Sequence, residues 1–205
     1  MTRTARVVLN VGGSSRKVPI PDYYAGWSQL LLDIDPRGKP DLCCDARELL
    51  ALEAGICDAV YCSHNLEHYY AHDVPRVLAG FAHVLKREGF AEIRVPDIGA
   101  VAREMAERGR DMEDILYTSP SGPITVRDVL YGLTRAIQKT GVDFYAHKTG
   151  FTPRSLGDAL RRAGFDAVYR LESLAAFEVR AIALRSAPGE WLGRLLGLAT
   201  PLEPL

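Results

Sequence analysis

Cys57-Asp58-Ala59-Val60-Tyr61-Cys62-Ser63 is a short, mostly apolar run that stops at the polar pair His64-Asn65. From Asp73 to Arg87, apolar residues then fall at Val74, Val77, Leu78, Phe81, Val84 and Leu85. That is the i, i+3, i+4, i+7 stripe of a helix laid on a sheet, with Pro75 tolerated in its first turn and Gly89 beyond its end. Phe90–Val95 returns to strand character. A strand, a helix and a second strand in that order read as a parallel pair joined by a crossover. This unit decides the fold class: an α/β domain built on a mostly parallel sheet.

The same alternation extends outward. Arg6–Val11, Gln29–Ile34 and Asp41–Cys44 read as three earlier strands. Asp166–Leu171 and Phe177–Arg185 read as two later ones, and their short link favours a closing antiparallel hairpin. Asp97 caps a helix carrying Ile98, Val101, Ala102 and Met105, with Gly109 past its end. Thr125 and Asp128 resemble a capping box ahead of Val129, Leu130, Leu133 and Ile137. Thr152-Pro153 opens a helix with Leu156, Leu160 and Ala163, stopped by Gly164. Between the first two strands, Pro19 and Pro21 oppose a regular helix, so Gly12–Ser28 is expected to be a loop or a single turn. After the last strand, Trp191, Leu192, Leu195 and Leu196 suggest a short amphipathic helix.

Composition narrows the class. The 205 residues suit one domain, expected over 1–186 with a tail over 187–205. Apolar residues make up 47% and charged residues 25%, which excludes collagen, coiled coil and wholesale disorder. Lys and Arg total 25 against 26 for Asp and Glu, so the basic excess of a nucleic-acid binder is missing. No apolar run approaches a membrane span, and Val7-Val8-Leu9 is too short for a signal-peptide core. Cys43, Cys44, Cys57 and Cys62 form no C-x-x-C pair and sit in apolar runs, which suits free thiols in a reducing cytoplasm.

In an open parallel sheet, ligands bind beyond the carboxyl ends of the strands. Here those ends carry, in order, Gly12-Gly13, Asp33-Ile34, Asp45-Ala46 and Ser63-His64-Asn65. Glycines let backbone approach a ligand, and a carboxylate about 20 residues later can accept both hydroxyls of a ribose.

With those residues in view, the chain resembles class I S-adenosylmethionine (SAM) dependent methyltransferases from about Val7 to Arg185. Val8-Leu9-Asn10-Val11-Gly12-Gly13 is similar to their first glycine motif, and Leu32-Asp33-Ile34-Asp35 to their ribose-binding strand end. Cys44-Asp45-Ala46 resembles the adenine-contact motif, Asp58–His68 the fourth motif ending in Leu-Glu-His, and His83–Gly89 the motif "R-V-L-K-P-G-G". The first motif lacks its third glycine and carries Asn10 where many relatives have an acid, and Arg87-Glu88 replaces Pro-Gly.

The resemblance implies a Rossmann-like methyltransferase fold: seven strands, mostly parallel, with helices on both faces. It implies SAM as cofactor, with Asn10, Gly12 and Gly13 near the methionine end, Asp33 on the ribose, and Ile34, Asp45 and Ala46 around adenine. Ser63 and the residues after it would lie near the transferred methyl group. A base suits a hydroxyl or amine acceptor, and His64, His68 and His147 are the candidates. The stretch 98–150 reads as an acceptor-side cap insertion. The expected partner is a small-molecule or saccharide-type acceptor, not nucleic acid or membrane, and the tail could pair two copies. Two other readings stand beside this one. One is a SAM-fold binding or scaffold module without turnover. The other is a metal hydrolase, because His64-Asn65-Leu66-Glu67-His68 matches H-x-x-E-H. That signature belongs inside a long helix, whereas this copy follows a strand-like run, so no metal site is assigned.

Overall fold

The structure is a computed structural model that describes residues 5–120, 122–173, 175–186, 190–196 and 203–204. Five strands form the parallel part of the sheet: β1 (Val7–Val11), β2 (Ser28–Asp33), β3 (Leu42–Cys43), β4 (Cys57–Ser63) and β5 (Leu85–Pro96). Their order is β3-β2-β1-β4-β5, with all neighbours parallel. Chain order reverses beside β1, which is the switch point where a ligand crevice opens. Val11 is level with Leu32 and with Cys62, so the strand ends carrying Gly12, Asp33 and His64 share one edge.

Two insertion strands, β6 (Ile115–Ser119) and β7 (Gly122–Thr125), form a separate antiparallel pair. β8 (Ala167–Leu171) and β9 (Glu178–Leu184) supply the expected hairpin, with β9 antiparallel to β5. These complete the seven strands read from the sequence. A two-residue β10 (Glu203–Pro204) lies antiparallel against β8 at the far edge.

Helix α1 (Val74–Val84) carries the expected apolar stripe and is the first α-helix after β4, beyond a 3-10 turn, but ends before Arg87. Leu85 turns to extended backbone and pairs with Cys57, so the sheet takes the residue that periodicity gave to the helix. α2 (Ile98–Arg108) is capped by Asp97, which accepts from the Ala100 amide at 3.0 Å. The single helix expected after Thr125 is two: α3 (Val126–Tyr131) and α4 (Thr134–Thr140). Gly132 separates them at φ +91°, where a Cβ would collide with the Tyr145 carbonyl. α3 carries the capping box expected of Thr125 and Asp128; α5 (Pro153–Arg162) opens on the expected Thr152 cap, which closes a second box with Ser155, and α6 (Glu190–Leu196) forms in the tail. The rest of the tail, 187–189, 197–202 and 205, lies outside the described residues.

On one face of the sheet, Leu9, Val11, Val60, Cys62 and Ile93 pack with Val77 and Phe81 of α1 and Leu156 and Leu160 of α5. On the other, Val8, Tyr61, Phe90 and Ile182 are covered by Tyr24, Trp27 and Leu192 of α6. The β1–β2 crossover supplies only a one-turn 3-10 segment, Asp22–Tyr24, as its prolines predict. Arg6 lies over the rings of Trp27 and Trp191, 5.3 and 4.5 Å from their centroids. Glu92 is 0% exposed on this face. It accepts from the hydroxyls of Tyr23 and Tyr24 and from the guanidinium groups of Arg94 and Arg180. A buried carboxylate with that many donors is a satisfied network.

The 98–150 segment has its own small core of Val101, Ile124, Val126 and Val129. It leaves and rejoins the domain at one place, where Asp97 bridges Phe151 and the Ile98 amide donates to the Phe151 carbonyl at 2.9 Å. Among the described residues, no helix is long and apolar enough to cross a membrane.

Candidate functional site

A cleft of about 300 Å³ opens along the shared strand edge. Its floor is the loop after β1, with Gly12 and Ser14. Gly12 has φ +69°, and a Cβ there would collide with the Asn65 side chain. The sequence uses glycine because the loop must turn left-handed directly beneath another residue. Asn65 also lines the cleft, and its buried Oδ1 has no hydrogen-bond partner among the described groups.

Asp33, Ile34 and Asp35 form one wall. Asp33 Oδ2 accepts from the Ser14 amide and Oδ1 from the Asp35 amide, each at 2.8 Å. These bonds fix the carboxylate against the glycine loop, and four lone-pair sites leave it room for further donors. Ile34 is 43% exposed, an apolar side chain held open on the rim. Further along, Asp45 caps the 3-10 turn Ala46–Ala51 by accepting from the Arg47 amide at 2.8 Å. It also pairs with the Arg47 guanidinium at 2.7 Å, and Arg47 reaches on to Asp73 at 3.1 Å. These bonds hold the Asp45 carboxyl below the usual range, although burial opposes the shift. Arg47 was not foreseen; nothing in its spacing separates it from other surface arginines.

The opposite wall comes from the segment after β4 and from the 98–150 insertion. His68, Tyr69 and Tyr70 meet Phe144, Tyr145 and Lys148 there. The insertion is tied down by two amides, Lys148 and Thr149, which donate to the Glu67 carbonyl at 2.8 and 3.2 Å.

The three candidate histidines occupy different environments. His64 takes φ +49°, which turns its side chain toward β9. Its Nε2 lies 2.8 Å from Glu178 Oε2, and its Nδ1 lies 3.6 Å from Glu67 Oε1. Burial works to lower its pKa, but the Glu178 hydrogen bond and the two carboxylates raise it to about 10. His68 lines the cleft with its Nδ1 bonded to the Ala146 carbonyl at 3.0 Å. His147 is behind it, bonded through Nδ1 to the Val129 carbonyl at 2.8 Å. Burial pushes the His147 pKa down. Its ring centroid is 5.1 Å from that of His68.

Of the residues singled out from sequence, Gly12, Asp33, Ile34, Asp45, His64 and His68 line one cleft. Asn10, Gly13, Ala46, Ser63 and His147 are not among its lining residues. Asn10 is buried, and its amide fills the space where a Gly13 side chain would go. Ala46 is buried beneath the wall. Ser63, the last residue of β4, shares the sheet face of Tyr61 by strand alternation. Glu178, which holds His64, was missed: it lies 114 residues away, and no local pattern could link them. The H-x-x-E-H match is corrected as well. Leu66–His68 is a single 3-10 turn, and His64 points to Glu178, so the two histidines share no helix face.

Residues 28–93 match the family described as "Methyltransferase domain". That stretch runs from β2 into β5 and includes Asp33, Asp45 and His64–His68. Solved structures with a similar fold include a SAM-dependent methyltransferase from Archaeoglobus fulgidus, at 16% identity and TM-score 0.54, covering 87% of this chain and 86% of that one. The PH0226 protein from Pyrococcus horikoshii OT3 is similar at 13% identity and TM-score 0.56, covering 90% and 84%. An O-methyltransferase family protein from Burkholderia thailandensis is similar at 16% identity and TM-score 0.53, covering 91% and 52%. A search of curated proteins returns no match. The chain therefore has a Rossmann-like methyltransferase fold, and its residues 28–93 match a methyltransferase-domain family.

Proposed function

We propose that this protein transfers the methyl group of SAM to a small-molecule or saccharide-type acceptor held under the 98–150 insertion. One observation carries the reading: Gly12, Asp33, Ile34 and Asn65, from the ends of the three neighbouring strands β1, β2 and β4, line a single cleft.

The residues fit the cofactor. Asp33 sits where ribose hydroxyls can donate to it, and Ile34 offers an apolar rim for the adenine face. Asp45 takes the adenine amino group only by sharing its carboxylate with Arg47, which already pairs with it. Gly12 leaves room for the methionine end, and the unpartnered Asn65 Oδ1 is an acceptor for an ammonium group. Asp33, Asp35, Asp45 and Asp73 line the cleft against Arg47, Lys148 and His64, an acidic surplus that favours a cationic ligand.

SAM supplies an electrophilic methyl group on a sulfonium. The chain's part is to align an acceptor with it and exclude water, and orientation alone can be worth about 7–11 kcal/mol. Tyr69, Tyr70, Phe144 and Tyr145 give the acceptor half an aromatic wall with hydroxyl handles, which suits a small polar ring. Both His64 nitrogens face carboxylates, so the acceptor meets His68 on the opposite wall instead. Lys148 lies 5.4 Å above the Tyr70 ring and 3.4 Å from Asp143, which braces the insertion across the opening.

Calorimetric titration with SAM and with S-adenosylhomocysteine tests the reading. Saturable binding of either is the expected result; no heat from either at millimolar concentration overturns it. Transfer of isotopic methyl to a panel of small polar acceptors then tests turnover.

A further inference from the structure

The geometry points to a divalent transition-metal site made by Glu67, His68 and His147, just behind the part of the cleft wall that His68 lines. Its existence is independent of the methyl-transfer reading; its use in activating an acceptor rests on that reading.

Glu67 is 1% exposed, and neither carboxylate oxygen has a hydrogen-bond partner among the described groups. Such a carboxylate is expensive to bury unless a cation meets it, and protonated His64, already hydrogen-bonded to Glu178, reaches only Oε1 and only at 3.6 Å. The imidazole nitrogens of His64 and His147 stand off at 3.6 and 3.9 Å.

The two other members are prepared as ligands. His68 and His147 each meet a backbone carbonyl through Nδ1. A carbonyl only accepts, so Nδ1 carries the proton and Nε2 keeps its lone pair. An outer carbonyl that fixes the tautomer and aims the ring is the usual support of a metal-bound histidine. His147 Nε2 faces Glu67 Oε1, acceptor against acceptor, an arrangement that a cation between them relieves. One ligand-type atom from each of the three residues lies within 4.8 Å of the others. Bonds of about 2.1 Å to a common ion would draw them to separations of roughly 3.4 Å, a small inward movement of side chains.

Two imidazoles and one carboxylate suit zinc, manganese, iron(II) or cobalt better than calcium or magnesium. His68 also lines the cleft, so the remaining coordination positions open toward the acceptor. A hydroxyl brought there would lose its proton more readily. This is not the H-x-x-E-H site weighed from sequence, because His147 takes the place of His64.

The test uses the full chain, stripped with a chelator and titrated with zinc by calorimetry and with cobalt by visible absorption. One equivalent bound at micromolar affinity or better is expected. Glu67→Gln and His147→Asn should each weaken it at least tenfold, whereas His72→Asn, a change at an exposed site outside the cluster, should leave it unchanged. Circular dichroism confirms that each variant folds. If neither does, uptake by the unaltered chain decides. No saturable uptake at millimolar metal, or equal affinity in both folded ligand variants, overturns the site. A parallel titration of the stripped protein with S-adenosylhomocysteine separates the two claims. Nucleoside binding without metal uptake removes the metal site alone; metal uptake without nucleoside binding removes the methyl-transfer reading alone.

Discussion

The Nε2 atom of His64 lies 2.8 Å from Oε2 of Glu178, joining the end of β4 to the start of β9. β9 is antiparallel to β5, so its first residue comes to the edge where the parallel strands finish. Ser173 donates to the other Glu178 oxygen at 2.5 Å. Burial works to raise the Glu178 pKa, but His64 and Ser173 hold it below the usual range.

In metal-free protein, His64 should therefore stay protonated far above its ordinary 6.5, titrating near 10. Its folded pKa exceeds the unfolded one, so its contribution to stability is complete below about pH 6.5 and is lost as pH rises through 10. Nuclear magnetic resonance of the imidazole checks the pKa. Melting temperature against pH checks the linkage, and Glu178→Gln should flatten the alkaline fall. A His64 that titrates near 6.5 would remove the ion pair.

Gly12→Ala places a side chain at φ +69° and against Asn65. The left-handed backbone alone costs about 1–2 kcal/mol. The displaced Asn65 should add a loss of S-adenosylhomocysteine affinity of more than tenfold. Thermal melts and calorimetry measure the two effects, and wild-type affinity in the variant would remove Gly12 from the site.

Asp33→Asn exchanges one acceptor oxygen for a donor that faces either the Ser14 or the Asp35 amide. A lost hydrogen bond to a charged group costs about 1.5–3 kcal/mol. The glycine loop should loosen, and nucleoside binding should weaken by at least an order of magnitude. Unchanged affinity by calorimetry would show that the ribose is not held there.

Trp191→Ala removes a ring that packs 6.0 Å from Phe90 and lies under Arg6. A loss of about 2–3 kcal/mol is expected, below the 3–5 kcal/mol typical of a fully buried tryptophan. Denaturant melts measure it. The cleft is on another part of the sheet, so nucleoside affinity should hold once the variant is folded.

Much of this was legible in the sequence because it is local. The 3.6-residue stripe of α1, the Asp97, Thr125 and Thr152 caps, and the apolar runs of β1, β4 and β5 each declare themselves within a few residues. So does the line of cleft residues from Gly12 to Asp45, because parallel strands in register bring their ends to one edge. What was not legible depends on distant partners. The β6–β7 hairpin has only a weak alternating pattern. The break at Gly132 follows from the approach of the Tyr145 carbonyl. Leu85 could have continued a helix, and the sheet claimed it. Glu178 and Arg47 became site residues only when the fold brought them to His64 and Asp45.

The clasp of Arg6 between Trp27 and Trp191 has a kinetic consequence. It joins residues near opposite ends of the described chain, so forming it confines almost the whole polypeptide to one loop. Contacts of such long sequence separation carry the largest closure entropy and form slowly. The seam should therefore be among the last elements to zip shut, and α6 among the first to part under a protease, while β1, paired on both sides with β2 and β4, stays in the sheet.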